Sequence, residues 1–370
     1  MTAPTFDATA NRIERELTVY RSAYGAQVVV IARGARLLSL AAGHDGTGRP
    51  LTRSTLFRVY CTVKPYLATL IARLVDDRVL DLDEPLESSL GARPVIAGGT
   101  SLRHLLTHTA GLPRPMAFEM ELIPPERRRR TIEGITRHPG IRLGVDATYS
   151  EYASWHLAGW TVERATGEPL GRTLRVWLDQ LRLHETWIGM PDEVRAGLRN
   201  RIGLNHDFRS ARPMPMGLEL GRRWCTETNP AHGGYTTMRD LARFYALLLE
   251  QLGGGAHPAL PSPATLATFC SVARPAVHDA VLDRTCRFGL GFMVPLRDHA
   301  FGDTLSAAAF GHSGYAGSSF GLADPDRQLV VAATFNGIVD HQQAFQRRVD
   351  LLRAIEHDLD DFEIAARQYG

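Results

Sequence analysis

The hydrophobic positions near the start of the chain follow the pattern of paired strands. The stretch AQVVVIARGARLLSLAAG, residues 26–43, has β-branched residues crowded into its first half and a glycine at its centre. β-Branched residues favour strands, and glycine allows the tight turn between them. The pattern therefore predicts two strands that are joined at Arg33 and Gly34.

A helical pattern follows in KPYLATLIARLVDD, residues 64–77. Apolar residues recur at helical spacing on one face: Leu67, Leu70, Ile71, Leu74 and Val75. Pro65 is compatible with such a helix only in its first turn. Cys61 and Lys64 are therefore predicted to lie at the start of the helix.

The pattern changes twice more along the chain. From about Leu82 to Cys270 it is mostly helical and rich in loops, with amphipathic segments that end at glycines. Near Phe288 it returns to strands, which we predict in FGLGFMVPL, SSFGLAD and QLVVAATFN. Asp324, Pro325 and Asp326 predict the turn between the last two strands, and DHQQAFQRRVDLLRAIEHDLDDF predicts a closing helix.

Strands at both ends and helices between them predict an α+β fold. One antiparallel sheet would be built from both chain termini and flanked by helices. We predict a discontinuous sheet domain from residues 1–85 and 275–370, and an inserted, mostly helical domain from residues 86–274. The cleft between the two domains is the expected position of the active site.

Composition limits the classes of partner. The formal net charge of the 370 residues is only +2, and the dense basic run Arg127–Arg130 has no aromatic platform beside it. We interpret that run as a solvated loop or helix start, and we expect no nucleic-acid partner. The chain shows neither the pattern of a secretion signal nor a long apolar run, so we predict no membrane association and a cytoplasmic location. The scattered cysteines predict neither a disulfide framework nor a zinc site, and no cofactor is expected.

Lysine use is the most unusual feature of the composition. Lys and Arg together number 42, and Lys64 is the only lysine. Arginine can replace lysine wherever only a positive charge is needed, but a guanidinium does not lose its proton at working pH. A lysine can be held neutral by burial or by neighbouring cations. Lys64 is therefore a candidate general base.

Cys61 precedes Lys64 by three residues and shares its helical face. The backbone N–H groups and the dipole of a helix N-terminus favour a thiolate and, later in a reaction, an oxyanion. A buried structural cysteine beside a surface lysine is the alternative interpretation of so short a pattern. The retention of one lysine favours the functional interpretation.

At this point the motifs resemble a family. LFRVYCTVKPYLATL is similar to the S-x-x-K segment of serine β-lactamases and penicillin-binding proteins, in particular the branch of class C β-lactamases, esterases and D-aminopeptidases. TSLRHLLTHTAGLP, HGGYTTMRDLARF and FGHSGYAGSSFGLADPDRQLVVAATFNG resemble other segments of that branch, in the same order, between about Phe57 and Gly337. The resemblance implies a β-lactamase-like fold.

The resemblance also implies roles for individual residues. Cys61 takes the place of the nucleophilic serine, Lys64 that of the lysine base, and Tyr149 that of the tyrosine in the second motif, which relays protons. His312, Ser313 and Gly314 match the third motif, whose edge backbone pairs with substrate. The Cys61 and Tyr315 N–H groups would form the oxyanion hole. His312 itself is open to three interpretations: an acid, a substrate contact, or a cation that maintains the electrostatics of the site.

Two residues depart from the family pattern. Glu151 stands where the second motif usually has asparagine, and a carboxylate accepts hydrogen bonds instead of donating them. This weakens a β-lactam interpretation and favours an amine or cationic substrate. Cys61 replaces serine, and the thioester that it would form is more susceptible to amine attack than an ester. A serine-to-cysteine replacement in an ordinary hydrolase would give the same sequence.

Further side chains near the motifs have weaker claims to a role. His104 and His108 are spaced by four residues, like zinc ligands on a helix, but without the H-E-x-x-H pattern we expect both to be structural. Trp224 is a candidate substrate contact. Trp155, His156 and Tyr315 could line a pocket, but packing is the expected role of such aromatic side chains. The remaining cysteines are expected to be core or surface thiols without a role in the site: Cys225, Cys270 and Cys286.

The expected function is acyl transfer through a covalent acyl-Cys61 intermediate, by a cytoplasmic biosynthetic acyltransferase or cyclase that acts on an ester, thioester or amide. The partners would be a small-molecule acyl donor and acceptor, with a coenzyme A or carrier-protein thioester as a conceivable donor. One alternative is an ester or amide hydrolase, either natively or with an engineered serine-to-cysteine change at position 61. The other alternative is a binding protein that has lost catalysis.

Overall fold

The computed structural model describes residues 5–90, 98–112 and 117–369. Its strands are β1 (Gly25–Ala32), β2 (Ala35–Gly43), β3 (Phe57–Arg58), β4 (Thr186–Ile188), β5 (His206–Asp207), β6 (Met214–Pro215), β7 (Gly234–Thr236), β8 (Arg274–Asp279), β9 (Arg284–Phe288), β10 (Phe310–Ser313), β11 (Ser319–Asp324), β12 (Leu329–Phe335) and β13 (Gly337–Ile338). Its helices are α1 (Asp7–Thr18), α2 (Lys64–Asp76), α3 (Leu86–Leu90), α4 (Leu102–Leu106), α5 (Ala117–Leu122), α6 (Pro125–Glu133), α7 (Ala153–Thr166), α8 (Leu170–Gln180), α9 (Asp192–Leu198), α10 (Arg222–Thr226), α11 (Met238–Leu252), α12 (Pro263–Cys270) and α13 (His341–Tyr369).

The largest sheet joins the two ends of the chain. Its order is β10-β11-β12-β1-β2, and every neighbouring pair is antiparallel. β1 lies against β12 in a register that pairs Val29 with Ala332. Arg33 and Gly34 both adopt positive φ, 50° and 76°, which is the geometry of a tight hairpin turn. The α+β class, the hairpin and the sheet built from both termini were all predicted correctly.

Helices cover both faces of this sheet. On one face, α1 packs against the long α13, where Asp358 accepts hydrogen bonds from the Thr9 N–H and hydroxyl, and Arg347 pairs with Glu16 at 2.8 Å. On the other face, α11 packs against β1, β11 and β12. The sheet is therefore buried on both sides, which explains why β12 is apolar at nearly every position.

Helix α2 is enclosed by the rest of the protein. Its first nine residues, from Lys64 to Ala72, are all buried, and it contacts α7, α8, α12 and β10. Pro65 lies in its first turn, as predicted. Because the helix is buried and closely packed, it is held rigidly. The turn that precedes it is therefore fixed in position.

One prediction about local structure was wrong, and a second was correct only in part, since the basic run does lie near the start of the helix α6. Residues 289–296 do not continue as a strand after Phe288, because Gly291 adopts a positive φ of 83° and Pro295 has no N–H; only Met293 forms a bridge, to Gly311. The basic run is not wholly solvated, since Arg128 on α6 is buried. Its guanidinium donates to the Met120 carbonyl at 2.7 Å and pairs with Glu227.

The division into two domains stays a prediction. The helix α11, which that division places in the helical domain, packs on the sheet. Within the residues that the structure describes, no helix combines the length and the apolar character needed to cross a bilayer.

Candidate active site

The turn that carries Cys61 is fixed on both sides. Before it, β3 pairs with β7, and the Val59 N–H donates to the Gly234 carbonyl at 2.9 Å. Residues 60–63 then form a single 3₁₀ turn that leads into α2. Tyr60 adopts a φ of 50°, which is unfavourable for an aromatic residue and is typical of functional sites. Cys61 is half-buried, whereas its neighbours Tyr60 and Thr62 are buried.

A second turn lies directly against the first. The Ser319 hydroxyl donates to the Val59 carbonyl at 2.8 Å and lies 3.0 Å from the Thr62 hydroxyl. A Cβ atom on Gly314 would lie 2.7 Å from the Val59 carbonyl oxygen, so only glycine permits this approach. The third motif and the Cys61 turn are therefore in contact, as the resemblance implied, and Ser319 joins them.

Lys64 is fully buried, and its Nζ atom donates two hydrogen bonds. The acceptors are the main-chain carbonyls of Glu151, at 3.0 Å, and Ala231, at 2.5 Å. The same nitrogen lies 5.9 Å from the centre of the Tyr149 ring and 5.5 Å from that of Trp155. Both acceptors are neutral, so a neutral amine, which has two N–H groups, can satisfy them and keep its lone pair free.

The Tyr149 phenol lies at the Cys61 thiol. Burial raises the pKa of Tyr149 well above its ordinary value, and the nearby Cys61 and Glu151 side chains raise it further. The backbone N–H of Tyr149 donates to the buried Asp279 carboxylate at 2.9 Å, which fixes this residue in position. Tyr149 is therefore a neutral phenol that can exchange protons with groups beside it.

His312 is buried on β10 and is neutral. Its Nδ1 atom lies 2.9 Å from the Ser313 carbonyl oxygen, which can only accept, so Nδ1 carries the proton. Burial lowers the pKa of His312 to about 3. The interpretation of His312 as the cation of the site is therefore disfavoured. Its Nε2 atom is a hydrogen-bond acceptor with no partner among the described residues.

The edge strand β10 presents backbone toward the site. The Gly311 N–H and carbonyl both bond to Met293 at the outer edge of the sheet, at 3.1 and 2.9 Å. Alternate residues of a strand present their backbone groups to the same side. Ser313, two residues further on and half-buried, therefore presents its backbone at that outer edge, where a substrate could pair with it.

The remaining predicted contacts lie around this centre. Glu151 is half-buried and close enough to Tyr149 to raise the pKa of that phenol. Trp224 is also half-buried, and its ring lies 4.9 Å from the Arg58 guanidinium. Tyr315 is half-buried beside Tyr60, with 5.7 Å between the ring centres. The structure thus brings Tyr149 to Cys61 and the third motif to the Cys61 turn, while the catalytic roles of all the predicted residues stay predictions.

A buried ionic cluster beside the site was missed. The Arg58 guanidinium pairs with Glu121 at 2.5 Å, and His232 lies 2.8 Å from the same carboxylate. His232 and Arg58 hold the pKa of Glu121 down, to about 2, despite its burial. The signal in the sequence was Arg58 itself, a charged residue within the apolar strand LFRVY, because a buried charge requires a buried partner.

The other candidate histidines and cysteines bond to the backbone or are buried. His104 Nδ1 accepts from the Ser101 N–H at 3.1 Å and so caps α4, while His108 Nδ1 accepts from the Ser150 N–H at 3.1 Å. Trp155 and His156 are buried in the core, and burial lowers the pKa of His156 to about 3. Burial raises the thiol pKa of the other three cysteines: Cys225, Cys270 and Cys286.

The comparison with protein families settles the class. A family profile described as Beta-lactamase matches residues 10–354, which is most of the chain. The chain therefore belongs to the beta-lactamase family and is an enzyme of this fold, and the predicted resemblance is confirmed.

Individual relatives add detail. Esterase EstB of Burkholderia gladioli is 37% identical over 117 residues, a match that spans 30% of this chain and 29% of that one. A penicillin-binding protein homologue from Caulobacter crescentus superposes with a TM-score of 0.77 at 24% identity, covering 97% of this chain and 99% of that one. EstCE1, described as a hydrolase with promiscuous acyltransferase activity, superposes with a TM-score of 0.76 at 20% identity, covering 95% and 99%. These two structures show a shared fold.

Proposed function

We propose that the protein is an acyl-transfer enzyme that works through a covalent acyl-Cys61 intermediate. One observation carries the proposal: the neutral Tyr149 phenol lies at the half-exposed Cys61 thiol, and the buried Lys64 amine lies beside the same ring. This arrangement supports Cys61 as the nucleophile, Tyr149 as the proton relay and Lys64 as the base. A thiol with a merely structural role would not need this arrangement.

In the acylation step, the proposed base is the neutral form of Lys64, which takes the thiol proton with Tyr149 as the relay. Cys61 Sγ attacks the carbonyl carbon of the donor, and the negative charge that develops on oxygen is met by the N–H groups of Cys61 and Tyr315. The bond from the carbonyl carbon to the leaving group then breaks. The leaving group departs with the proton from Lys64, so the amine is neutral again.

In the transfer step, the acceptor attacks the thioester carbonyl while Lys64, through Tyr149, takes its proton. The carbon–sulfur bond breaks, and sulfur regains its proton from Lys64. The Glu151 carboxylate near the phenol favours an acceptor that is an amine or carries positive charge. The Nε2 atom of His312, which has no partner among the described residues, can accept from an N–H or O–H of the same molecule.

The donor would be an ester, thioester or amide, and a coenzyme A or carrier-protein thioester fits the same chemistry. A biosynthetic acyltransferase or cyclase in the cytoplasm is the setting that we propose. At the third-motif position, burial keeps His312 neutral, so this residue does not pair with a donor carboxylate, and donors that need such a pair are disfavoured.

The test is intact-mass detection of an acyl-enzyme after incubation with p-nitrophenyl acetate and with acetyl-coenzyme A. We expect one acetyl group on Cys61 and none on the Cys61→Ala variant. Cys225→Ala is the matched control, because Cys225 is a buried thiol. Turnover by Cys61→Ala at the wild-type rate, with no acylation of the wild type, would contradict the proposal.

The second candidate is an ester or amide hydrolase, in which water is the acceptor. The partial identity with esterase EstB favours it. The two candidates are distinguished by the fate of the acyl group when a primary amine is added to the reaction. Transfer predicts acylated amine at the expense of free acid, and hydrolysis predicts free acid at every amine concentration.

A further inference from the structure

The segment of residues 205–219 reaches both sides of the predicted oxyanion hole. At one end, the Tyr60 hydroxyl donates to the Glu219 carboxylate. Near its middle, the Arg209 guanidinium donates to the Tyr315 hydroxyl at 3.0 Å. Tyr60 directly precedes Cys61, and Tyr315 itself supplies the second N–H, so each donor of the hole is attached to a phenol that this segment holds.

Glu219 is held more firmly than a surface carboxylate. It is only 1% exposed, and its second oxygen accepts from the Asn205 amide at 2.9 Å. Its main-chain carbonyl accepts from the Tyr235 hydroxyl at 2.5 Å and from the Cys225 thiol at 3.3 Å. Burying a carboxylate is costly, and a structural core would be served as well by an apolar residue at this position.

The Arg209 end is also attached to the core. Arg209 forms a two-point ion pair with Asp207 on β5, and its guanidinium lies 5.5 Å from the centre of the Tyr315 ring. β5 pairs with β13, and the Phe208 N–H donates to the Ile338 carbonyl at 2.7 Å. A displacement of this segment would therefore move both phenols together.

The backbone around the two oxyanion-hole N–H groups has to be held in place by the surrounding structure. Tyr60 has a φ of 50°, and Ala316, directly after Tyr315, has a φ of 46°. Residues other than glycine persist in this region only where the surrounding structure holds them there. The two rings also contact each other, with 5.7 Å between their centres.

From these contacts we infer that Glu219 and Arg209 are positioning residues: through Tyr60 and Tyr315 they set the spacing of the two oxyanion-hole N–H groups. The inference rests on the proposed function, since it assumes acyl transfer at Cys61. It goes beyond that function because it assigns the spacing of the two N–H groups to a segment that lies outside the three motifs.

The experiment compares two reactions of the same thiol. Acylation by p-nitrophenyl acetate develops an oxyanion, whereas alkylation by iodoacetamide attacks a saturated carbon and needs no oxyanion hole. The variants are Tyr60→Phe, Tyr315→Phe, Glu219→Gln and Arg209→Met. The matched control is Tyr20→Phe, an exposed phenol that also accepts from an arginine.

We expect acylation to fall about tenfold or more in Tyr60→Phe and Tyr315→Phe, because small displacements of a catalytic group are costly. Alkylation should stay within about twofold of wild type, and Tyr20→Phe should change neither rate. Arg209→Met alters an exposed side chain, so it provides a folded variant if a change at the buried Glu219 prevents folding.

Two results would overturn the inference, and a third would contradict the proposed function on which it rests. Acylation at the wild-type rate in both Tyr315→Phe and Arg209→Met would overturn it. An equal fall of acylation and alkylation would overturn it too, since the thiol itself would then be the affected group. A wild-type protein that is alkylated but never acylated would instead contradict the proposed function.

Discussion

Lys64 Nζ donates to the main-chain carbonyl of Glu151 at 3.0 Å, so the proposed base on α2 is bonded directly to the second motif. The two residues are 87 positions apart in the chain. This bond explains how one buried side chain can serve two purposes: it joins the segment that carries Tyr149 to the start of α2, and it places an amine beside the phenol.

Lys64→Met is predicted to remove catalysis while keeping most of the packing. We expect acylation of Cys61 by p-nitrophenyl acetate to fall by about 10²–10⁴, the usual contribution of a positioned general base. Two buried carbonyls lose their donor, so the midpoint of urea unfolding should also fall. Arg36→Met, a change at an exposed cation on β2, is the control and should affect neither measurement. An unchanged rate of acylation in Lys64→Met would show that Lys64 is not the general base.

The buried pair of Arg58 and Glu121 is predicted to make a large contribution to stability when only one partner is removed. Glu121→Gln removes the ion-pair partner of a buried guanidinium, and we expect the free energy of unfolding to fall by about 3–5 kcal/mol. The exposed pair of Arg172 and Glu168 is the matched comparison, and Glu168→Gln should cost less than about 1 kcal/mol. Chemical denaturation measures both. An equal loss of unfolding free energy in the two variants would show that the Arg58 pair is solvated in solution.

Stability is predicted to fall as the pH drops from about 7 to 5. Burial lowers the pKa of His156 and of His312 to about 3 and that of His299 to about 4, whereas the unfolded chain has histidine pKa values of about 6.5. The unfolded state therefore binds protons first as the pH falls. Each of these histidines then removes up to about 1.4 kcal/mol of stability per pH unit.

Denaturant midpoints measured between pH 7 and 5 test this, because carboxylates contribute mainly at lower pH. His299→Gln should make the dependence shallower, and His184→Gln, a change at an exposed histidine, should leave it unchanged. A midpoint that does not change over this range would show that these imidazoles are hydrated.

Local signals in the sequence predicted the framework of the site. Pro65 placed Cys61 and Lys64 at a helix start, and the β-branched run before Arg33 predicted the strand that joins the two ends of the chain. These predictions succeeded because proline, glycine and β-branched residues act on the backbone within a few positions. The order of the motifs then indicated the family.

The supporting contacts could not be predicted in the same way. Ser319 contacts Val59 across 260 positions, and Glu219 contacts Tyr60 across 159. Serine and glutamate are common residues, and no local pattern distinguishes a buried, bonded one from one on the surface. Only the packing of β11 and of residues 205–219 against the Cys61 turn creates these contacts, so they emerge at the level of tertiary structure.

Cys61→Ser is the variant that separates transfer from hydrolysis. An ester is less susceptible to amines, relative to water, than a thioester, so we expect the ratio of acylated amine to free acid to fall in the serine variant. Total acylation should persist, because Lys64, Tyr149 and the oxyanion donors are unchanged. The measurement is product analysis with p-nitrophenyl acetate and a primary amine at fixed pH. A ratio that is equal in the two proteins would show that the geometry around Glu151 and His312 selects the acceptor, and that sulfur has no part in the selection.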